Sequence, residues 1–380
     1  MKKSLSLAVT GFLLIAVSYG LARFSWGLML PAVSQAVPFS PRLAGVLSAC
    51  SFAAYCLSVS VASRLCTRYG ARLVGVISAL CAAAGLLLLA AASTSILLAA
   101  GLLVAGFSAG LSSPSLAAAV SQAITAQRQT QVNTIINAGT GAGIILSVPL
   151  LLILPWRYAC VLFAAIALLT LLPVWRYLPS GAVTQVEPSA QARLFTRQLV
   201  RLAIVAFISG MASAAWWSFG PEVLRQHAKV TDTLISLLWL VCGAAGVLGV
   251  LTGPLARLIG MRQVYRLSLL FMAAPLVLIA FSHAFSGWLF PAVALCGAGY
   301  ITLSGVLLVG GAQATPEKPA SGVGVVFFML AAGQVAGSML FGVLYAQIGA
   351  APALIAFTLL AGIMLFYPPE VSKDGHRTPG

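Results

Sequence analysis

Long apolar runs, each separated from the next by a short polar or basic stretch, are the feature that most constrains this chain. Of its 380 residues, 61% are hydrophobic and 7% are charged. A soluble domain carries about a quarter charged residues, so no soluble core could bury this much apolar surface. A helix that crosses a bilayer needs about 20 apolar residues, and the runs reach that length. The sequence therefore predicts an all-α membrane protein.

Cutting the chain at charged residues and at Pro or Gly predicts twelve membrane helices. Their connections are short, which favours antiparallel neighbours, except for one stretch rich in Ser, Gln and Arg in the middle of the chain. The predicted helices span residues 6–31, 43–63, 73–92, 95–123, 132–154, 158–178, 199–221, 233–256, 264–282, 286–312, 321–347 and 350–367.

The two halves of the chain repeat each other in sequence. The basic, Gly-containing stretch 63–72 aligns with 253–262 at an offset of 190 residues, and the same offset places Gly20 on Gly210. An internal repeat of half length in an apolar chain is typical of transporters. The repeat predicts two pseudo-symmetric six-helix bundles. The predicted division is an N-terminal bundle at 1–178, a cytoplasmic linker at 179–198, a C-terminal bundle at 199–369 and a cytoplasmic tail at 370–380.

The Lys and Arg residues predict the orientation in the membrane. With both termini in the cytoplasm, 16 of them lie inside and 4 outside, while Arg23 lies within the first helix. Basic loops favour the cytoplasmic side, so a multi-pass protein of the cell inner membrane is expected, with the lipid bilayer as its partner. The net charge of +15 follows from this topology. It forms no continuous basic face, which argues against nucleic-acid binding, and a monomer is expected.

Both copies of the repeated stretch resemble the signature loop of the major facilitator superfamily, Gly-x-Leu-Ala-Asp-Arg-x-Gly-Arg-Arg/Lys. The family's Asp, which helps to latch the two halves together, is replaced by Thr67 and Arg257. Segment 19–31 is similar to the first helix of the YbfB-like branch, where a Gly-x-x-Arg-Phe pattern leads to a Leu-Pro pair. The loop residues that match are Leu65, Arg68, Gly70 and Arg72 in the first copy and Gly253, Leu255, Ala256, Gly260 and Arg262 in the second.

The resemblance implies the fold of that superfamily, with twelve transmembrane helices, a central cavity between the halves and alternating access. It also implies a role in conformational change for Gly70, Arg72, Gly253, Gly260 and Arg262 of the two loops.

Arg23 is the strongest single candidate for substrate binding. It lies about eight residues from the outer end of the first helix, roughly 12 Å deep at 1.5 Å per residue. A charge at such depth costs about 2.5–3.5 kcal/mol on insertion scales and usually faces a cavity. At helical spacing Tyr19 and Trp26 share its face, which predicts an anion site with two aromatic neighbours. The alternatives are an Arg23 that snorkels outward or binds backbone carbonyls of a neighbouring helix.

Aromatic and amide side chains on other helices are further candidates for substrate binding. Trp216 and Trp217 lie near the outer end of the seventh helix, where an interfacial aromatic belt is the alternative. Asn133 and Asn137 share a face of the fifth helix, and Gln334 lies on the equivalent eleventh helix. The prediction is that these three amides bind substrate; the alternative is that they only join helices by hydrogen bonds.

Carboxylates are scarce, and none is predicted at mid-membrane depth. Glu222, at the outer end of the seventh helix, is the one candidate for ion coupling, with a solvated helix-end charge as the alternative. The predicted spans contain no His/Asp/Glu or Cys/His constellation, so an enzyme, a metal site or a cofactor is not expected. The leading hypothesis is secondary or facilitated transport of a small organic solute, most simply an anion. The alternative is an exporter of apolar or amphipathic compounds in which Arg23 is structural.

Overall fold

The computed structural model describes residues 2–181, 196–315 and 319–368. Within these ranges the chain is helical and has no strand. We number the membrane helices α1 to α12 and call the membrane face at which α1 begins the proximal face. The helices are α1 (Ser4–Ala36), α2 (41–69), α3 (71–91), α4 (Ser95–Ala123), α5 (Ala126–Ile153), α6 (Trp156–Tyr177), α7 (Arg197–Gln226), α8 (232–259), α9 (Met261–Ala280), α10 (Leu289–Ala314), α11 (Pro319–Ile348) and α12 (Ala350–Met364).

These helices confirm the predicted fold class of twelve transmembrane helices. Among the residues that the structure describes, ten apolar helices are long enough to cross a membrane, and one of them, Pro41–Ala91, crosses twice because it turns at Gly70. The last, Ala350–Met364, is shorter than its predicted span of 350–367, since the chain continues from Leu365 in tight turns. Irregular segments that the hydrophobic pattern did not predict are the π-helix Ala16–Phe24 in α1 and the 3₁₀ turn Val247–Leu251 in α8.

The sequence repeat has a direct counterpart in the backbone. Gly70 and Gly260 lie between the second and third helices of their halves, with φ/ψ of 82/159° and 83/145°. This left-handed region favours glycine because it has no Cβ. One element thus turns the chain at the proximal face in both halves.

Within each half, close backbone contacts join the first helix to the fifth. Gly20 of α1 lies against Gly143 of α5, and the equivalent Gly210 of α7 lies against the backbone of Leu330 and Gln334 in α11. Small residues allow such approach in a membrane, where packing rather than hydrophobic burial drives helix association. The two halves are therefore pseudo-symmetric in packing as well as in sequence.

The closest contacts between the halves involve pairs of helices at their shared interface. Gly27 of α1 lies on the backbone of Trp217 in α7, Gly45 of α2 lies on Ser338 of α11, and α5 packs against α8. These contacts lie at the middle of the membrane and towards the distal face. This arrangement closes the distal side and places α1 and α7 at the centre of the molecule.

The predicted domain boundaries remain a prediction. Most of the linker 179–198 and nearly all of the segment after Tyr367, including the tail 370–380, fall outside the described residues. The helices α1–α6 and α7–α12 agree with the division into two six-helix units.

Candidate functional site

Arg23 lies in the π-helical segment of α1. The amide N–H of Ser25 bonds the carbonyl of Gly20, five residues back, which is the π-helical pattern. Such segments are rare and occur frequently at functional sites. Arg23 is 6% exposed, so its guanidinium is inside the protein rather than at the lipid surface or in a polar headgroup layer. The alternative of an Arg23 that snorkels outward does not fit this burial.

The guanidinium of Arg23 joins the two halves. Its Nη2 donates to Oε1 of Gln334 on α11 at 3.0 Å. The Gln334 amide nitrogen in turn donates to the Tyr300 hydroxyl at 3.0 Å and to Ser213 Oγ at 3.4 Å. These partners fix the orientation of the amide, because only its oxygen accepts from an arginine. The network spans α1, α7, α10 and α11.

Aromatic rings surround the same guanidinium. Its central carbon lies 4.5 Å from the ring centroid of Tyr55, 4.7 Å from Phe52, 5.4 Å from Phe24 and 5.6 Å from Tyr19. A desolvated cation near an aromatic face gains about 2 kcal/mol. The rings partly replace the water that Arg23 has lost. The Tyr19 hydroxyl is held by Ser113 Oγ at 2.8 Å and by the Tyr55 hydroxyl at 3.4 Å.

The charge of Arg23 has no carboxylate counter-charge among the described residues. The only carboxylates there are Glu222 and Asp232, at the distal end of α7 and the start of α8, and neither bonds Arg23. Arg23 Nε is buried and lacks a hydrogen-bond partner. An uncompensated buried charge costs several kcal/mol. The site is thus equipped to accept an anionic group.

Trp217 borders the Arg23 site, whereas Trp216, its neighbour in the sequence, packs against α8. The Trp217 ring centroid is 4.8 Å from that of Phe24 and 5.1 Å from that of Tyr300, and its buried indole N–H has no partner. Trp216 packs on Trp239 of α8 at 5.7 Å. Both tryptophans are under 5% exposed, so neither belongs to an interfacial belt facing lipid headgroups.

Trp26 contacts the helix that Arg23 also faces. Its indole N–H donates to Ser48 Oγ of α2 at 2.9 Å, one turn from Phe52, whose ring centroid lies 4.7 Å from the guanidinium carbon of Arg23. Both residues therefore face α2, and a role of Trp26 in substrate binding stays a prediction. Trp26 packs within its own half, as its repeat partner Trp216 does against α8.

Asn133 and Asn137 lie on the proximal part of α5 and make no hydrogen bond to Arg23. Asn137 is exposed and Asn133 is half-buried. One turn further along the same face, Gly141 lies on Val247 and Gly243 of α8. The close contact between α5 and α8 thus includes Gly141, and the exposed Asn137 lies one turn nearer the proximal face.

Glu222 lies at the distal end of α7, separate from Arg23. Its Oε2 is buried without a partner, and its side chain lines a cavity of about 360 Å³ between the halves. The expectation of a wholly solvated helix-end charge does not fit this position.

Comparison with known proteins identifies the family. The sequence profile of the Major Facilitator Superfamily matches residues 12–317. The chain belongs to the major facilitator superfamily. It is therefore a membrane transporter and not an enzyme. No curated protein matches the sequence.

Solved structures of superfamily transporters share the whole fold. A single-residue variant of the nucleoside transporter NupG superposes with a TM-score of 0.78 at 13% identity, covering 96% of this chain and 98% of that one. NupG itself gives 0.70 at 16% identity and 97% of both chains. The human organic anion transporter MFSD10 (TETRAN) gives 0.67 at 17% identity, covering 96% and 99%. At such identity these likenesses show the fold alone, and the YbfB-like branch remains a prediction.

The first superfamily loop contacts the end of α6. Arg72 Nε donates to the Leu178 carbonyl at 2.8 Å, and a Cβ on Gly70 would lie 2.7 Å from the Ser180 carbonyl oxygen. In the second half, the Tyr265 hydroxyl and Arg266 Nε donate to the carbonyls of Met364 and Leu365 at the end of α12.

Each loop region therefore ties the third helix of its half to the sixth. Arg262 is exposed at the start of α9, and Gly253 lies in the helix Thr252–Ile259.

Sequence reasoning did not select several residues around Arg23. Phe52, Tyr55 and Phe24 contact Arg23 in the structure, and Ser113 bonds Tyr19. Phe52 and Tyr55 are three residues apart on α2, a spacing that places both on one helical face. That spacing was a usable signal, but nothing in the sequence shows that this face meets α1.

Proposed function

We propose that the chain transports a small organic anion by alternating access, with Arg23 binding its negative group. The observation that carries this proposal is the buried Arg23 guanidinium, which has a free Nε and no carboxylate partner among the described residues. It lies in the contact between the halves, held by Gln334. A ligand that binds there touches both halves at once.

Electrostatics favours an anion over a neutral solute. A buried guanidinium is compensated best by a carboxylate or phosphate, which accepts two parallel hydrogen bonds from its planar fork. The amide of Gln334 supplies one neutral acceptor only. A bound anion replaces that acceptor or adds to it, and the gain is largest where water is excluded. Tyr19 and Trp217 then supply hydroxyl and indole donors at the borders of the site.

The distribution of contacts between the halves supports alternating access. The distal contacts of α1 with α7 and α2 with α11 are closed, while Asn137 on the proximal part of α5 is exposed. Rocking of the halves about the Arg23 level would open the distal side and close the proximal one. Asn133 and Asn137 would then line the proximal path, and the loops with Gly70, Arg72, Gly253, Gly260 and Arg262 would move with their halves.

The predicted topology completes the proposal. The excess of basic residues on the proximal side makes this side the cytoplasmic one, with both termini there and the chain in a bacterial-type inner membrane. We propose a monomer. Glu222 is the proposed coupling residue, and loss of a pH-gradient effect on transport in Glu222→Gln tests that role.

One observation favours the alternative of an exporter for apolar or amphipathic compounds. Six aromatic rings lie in one connected group around Arg23 (Tyr19, Phe24, Phe52, Tyr55, Trp217 and Tyr300). In that case the rings bind the ligand, and Arg23 serves only to join α1 to Gln334.

Thermal unfolding of the purified protein with a panel of organic anions and organic cations separates the two functions. Under the leading proposal, at least one anion raises the unfolding temperature of the wild type, Arg23→Lys reduces that shift, and Arg23→Ala removes it. Arg128→Ala, which removes an exposed arginine of α5, is the matched control and keeps the shift. Stabilisation by apolar cations alone, unchanged in Arg23→Ala, refutes the anion proposal and supports the exporter.

A further inference from the structure

A second site lies at the distal end of the molecule, where a cavity of about 360 Å³ separates the halves. The N-terminal half lines it with α1, α2 and the loop between them. The C-terminal half lines it with the distal ends of α7 and α11. The residues concerned are Leu30, Ser34, Gln35, Phe39, Pro41 and Ala44 from the first half and Phe219, Glu222, Gln226 and Tyr345 from the second.

The lining combines one negative charge with aromatic walls. Glu222 is its only charged residue, and the buried Oε2 of Glu222 has no hydrogen-bond partner. Phe39, Phe219 and Tyr345 supply aromatic rings. A carboxylate oxygen left without a donor costs free energy that a cationic donor recovers, and aromatic faces attract cations. The cavity therefore has the chemistry of a site for a small ammonium ion with an apolar body.

The nearest positive charge does not occupy this site. Arg225 interacts with Glu222 through space, but its Nη1 donates to the Pro31 carbonyl at 3.0 Å and its Nε faces Asp232 at 4.0 Å. With its amide oxygen turned to Arg225, Gln35 accepts two further bonds. The Arg225 guanidinium is thus hydrogen-bonded to the end of α1, and Glu222 Oε2 is left without a hydrogen-bond donor.

We propose that this distal cavity binds a small organic cation, whose ammonium group pairs with Glu222 while its apolar part packs on Phe39 and Phe219. The site is separate from Arg23. Ser34 lies eleven residues beyond Arg23 on α1, which is about 16 Å at 1.5 Å per residue, and the two sites prefer opposite charges. A ligand in this cavity contacts both halves in their distal-closed arrangement. It therefore stabilises that arrangement and slows any step that opens the distal side.

Benzylammonium is a suitable probe because it carries one ammonium group on a flat apolar ring. Its binding to the purified full-length protein is measured by calorimetry, with uncharged benzyl alcohol as the isosteric comparison. The expected result is saturable binding of benzylammonium, at least tenfold weaker binding of benzyl alcohol, and at least tenfold weaker benzylammonium binding in Glu222→Gln. Asp232→Asn is the matched control, since it removes a distal carboxylate that is 79% exposed and outside the cavity.

Two more variants make the result decisive. Gln226→Lys places a positive charge beside Glu222 at the exposed rim of the cavity, and is expected to abolish benzylammonium binding. Arg23→Ala is expected to retain it, whatever becomes of the anion site. Equal binding of benzyl alcohol and benzylammonium overturns the proposal, and so does unchanged binding in Glu222→Gln or Gln226→Lys. Loss of binding in Arg23→Ala instead shows that the cation binds at the central site.

Discussion

Arg23 and Gln334 form a hydrogen bond of 3.0 Å between residues that are 311 positions apart in the chain. The bond connects the π-helical segment of α1 to α11, and so connects the two halves at the centre of the membrane. An amide rather than a carboxylate meets the guanidinium. The positive charge therefore remains available to a ligand, which a built-in ion pair would prevent.

Replacing that amide by a carboxylate tests whether the free charge matters. In Gln334→Glu the new carboxylate is expected to pair with Arg23, while the hydroxyls of Tyr300 and Ser213 turn to donate to it. We expect a higher unfolding temperature without ligand and loss of at least tenfold in anion affinity or transport, which corresponds to about 1.4 kcal/mol.

The matched control for Gln334→Glu is Gln131→Glu, the same change at an exposed position of α5. We expect this variant to leave both the unfolding temperature without ligand and the anion affinity or transport nearly unchanged. Full retention of the anion response in Gln334→Glu would show that Arg23 does not bind the substrate.

Alanine at the two loop glycines should separate backbone strain from steric conflict. Both Gly70 and Gly260 have φ near +82°, with ψ of 159° and 145°, an extended region with positive φ that is essentially restricted to glycine and costs roughly 1–3 kcal/mol for other residues. Gly70→Ala also places a Cβ 2.7 Å from the Ser180 carbonyl oxygen, whereas Gly260→Ala meets nothing within 4 Å. We therefore expect Gly70→Ala to lower the midpoint of chemical unfolding more than Gly260→Ala does.

The control for the loop glycines is Gly362→Ala in α12, a helical site with open space. It is expected to be neutral or to stabilise by up to about 1 kcal/mol. Equal decreases in the unfolding midpoint for Gly70→Ala and Gly260→Ala would mean that Ser180 moves aside without a cost in free energy.

Loss of the Arg225 side chain should loosen the distal closure. Its bond to the Pro31 carbonyl ties α7 to α1, and a hydrogen bond to a charged group contributes about 1.5–3 kcal/mol. Arg225→Ala is therefore expected to shift the halves towards distal opening by about tenfold or more. The measurement is the rate at which a maleimide labels a cysteine introduced at Ser34 in the distal cavity.

Asp232→Asn distinguishes the two partners of Arg225. The ion pair is 4.0 Å long and its carboxylate side chain is 79% exposed, so solvent screens most of its energy. The labelling rate at Ser34 should stay within about twofold of its value in the protein with only the Ser34 cysteine. A large rise in Asp232→Asn would place the latch at the ion pair rather than at the Pro31 carbonyl.

Cysteine labelling along α5 should locate the limit of the contact between the halves. Asn137 is exposed, whereas Ile144, two turns further on the face that meets α8, is buried against Gly243. We expect a water-soluble maleimide to label Asn137→Cys at least tenfold faster than Ile144→Cys. Similar rates at the two positions would contradict a proximal opening that ends near Gly141.

Much of the fold could be predicted because membrane helices are set by local properties. Apolar length gave the twelve helices, and residues 95–123 coincide with α4. The offset of 190 paired Gly70 with Gly260, whose backbones agree within 14° in ψ. Such features depend on composition and on residues close in sequence.

The contacts of the site depend on how distant helices meet, which periodicity alone does not reveal. Arg23, Tyr19 and Gln334 were predicted as site residues and lie together, and Trp26 bonds Ser48 of α2, one turn from Phe52. Phe52 and Tyr55 reach Arg23 only through the packing of α2 against α1. No local sequence pattern indicates that α2 packs against α1 at these residues.

The glycine contacts between the halves have a mechanical consequence. At Gly27 and Gly45 the surfaces meet backbone to backbone, with no side chain inserted from the glycine. A joint of this kind holds by close fit, and dispersion between two atoms weakens quickly with separation. At these two glycines the first half has no side chain to withdraw when the halves separate, whereas elsewhere Phe24 packs on Trp217 and Ile144 packs on Gly243. The glycine contacts are therefore the parts of the interface between the halves that can open and close again at low energetic cost.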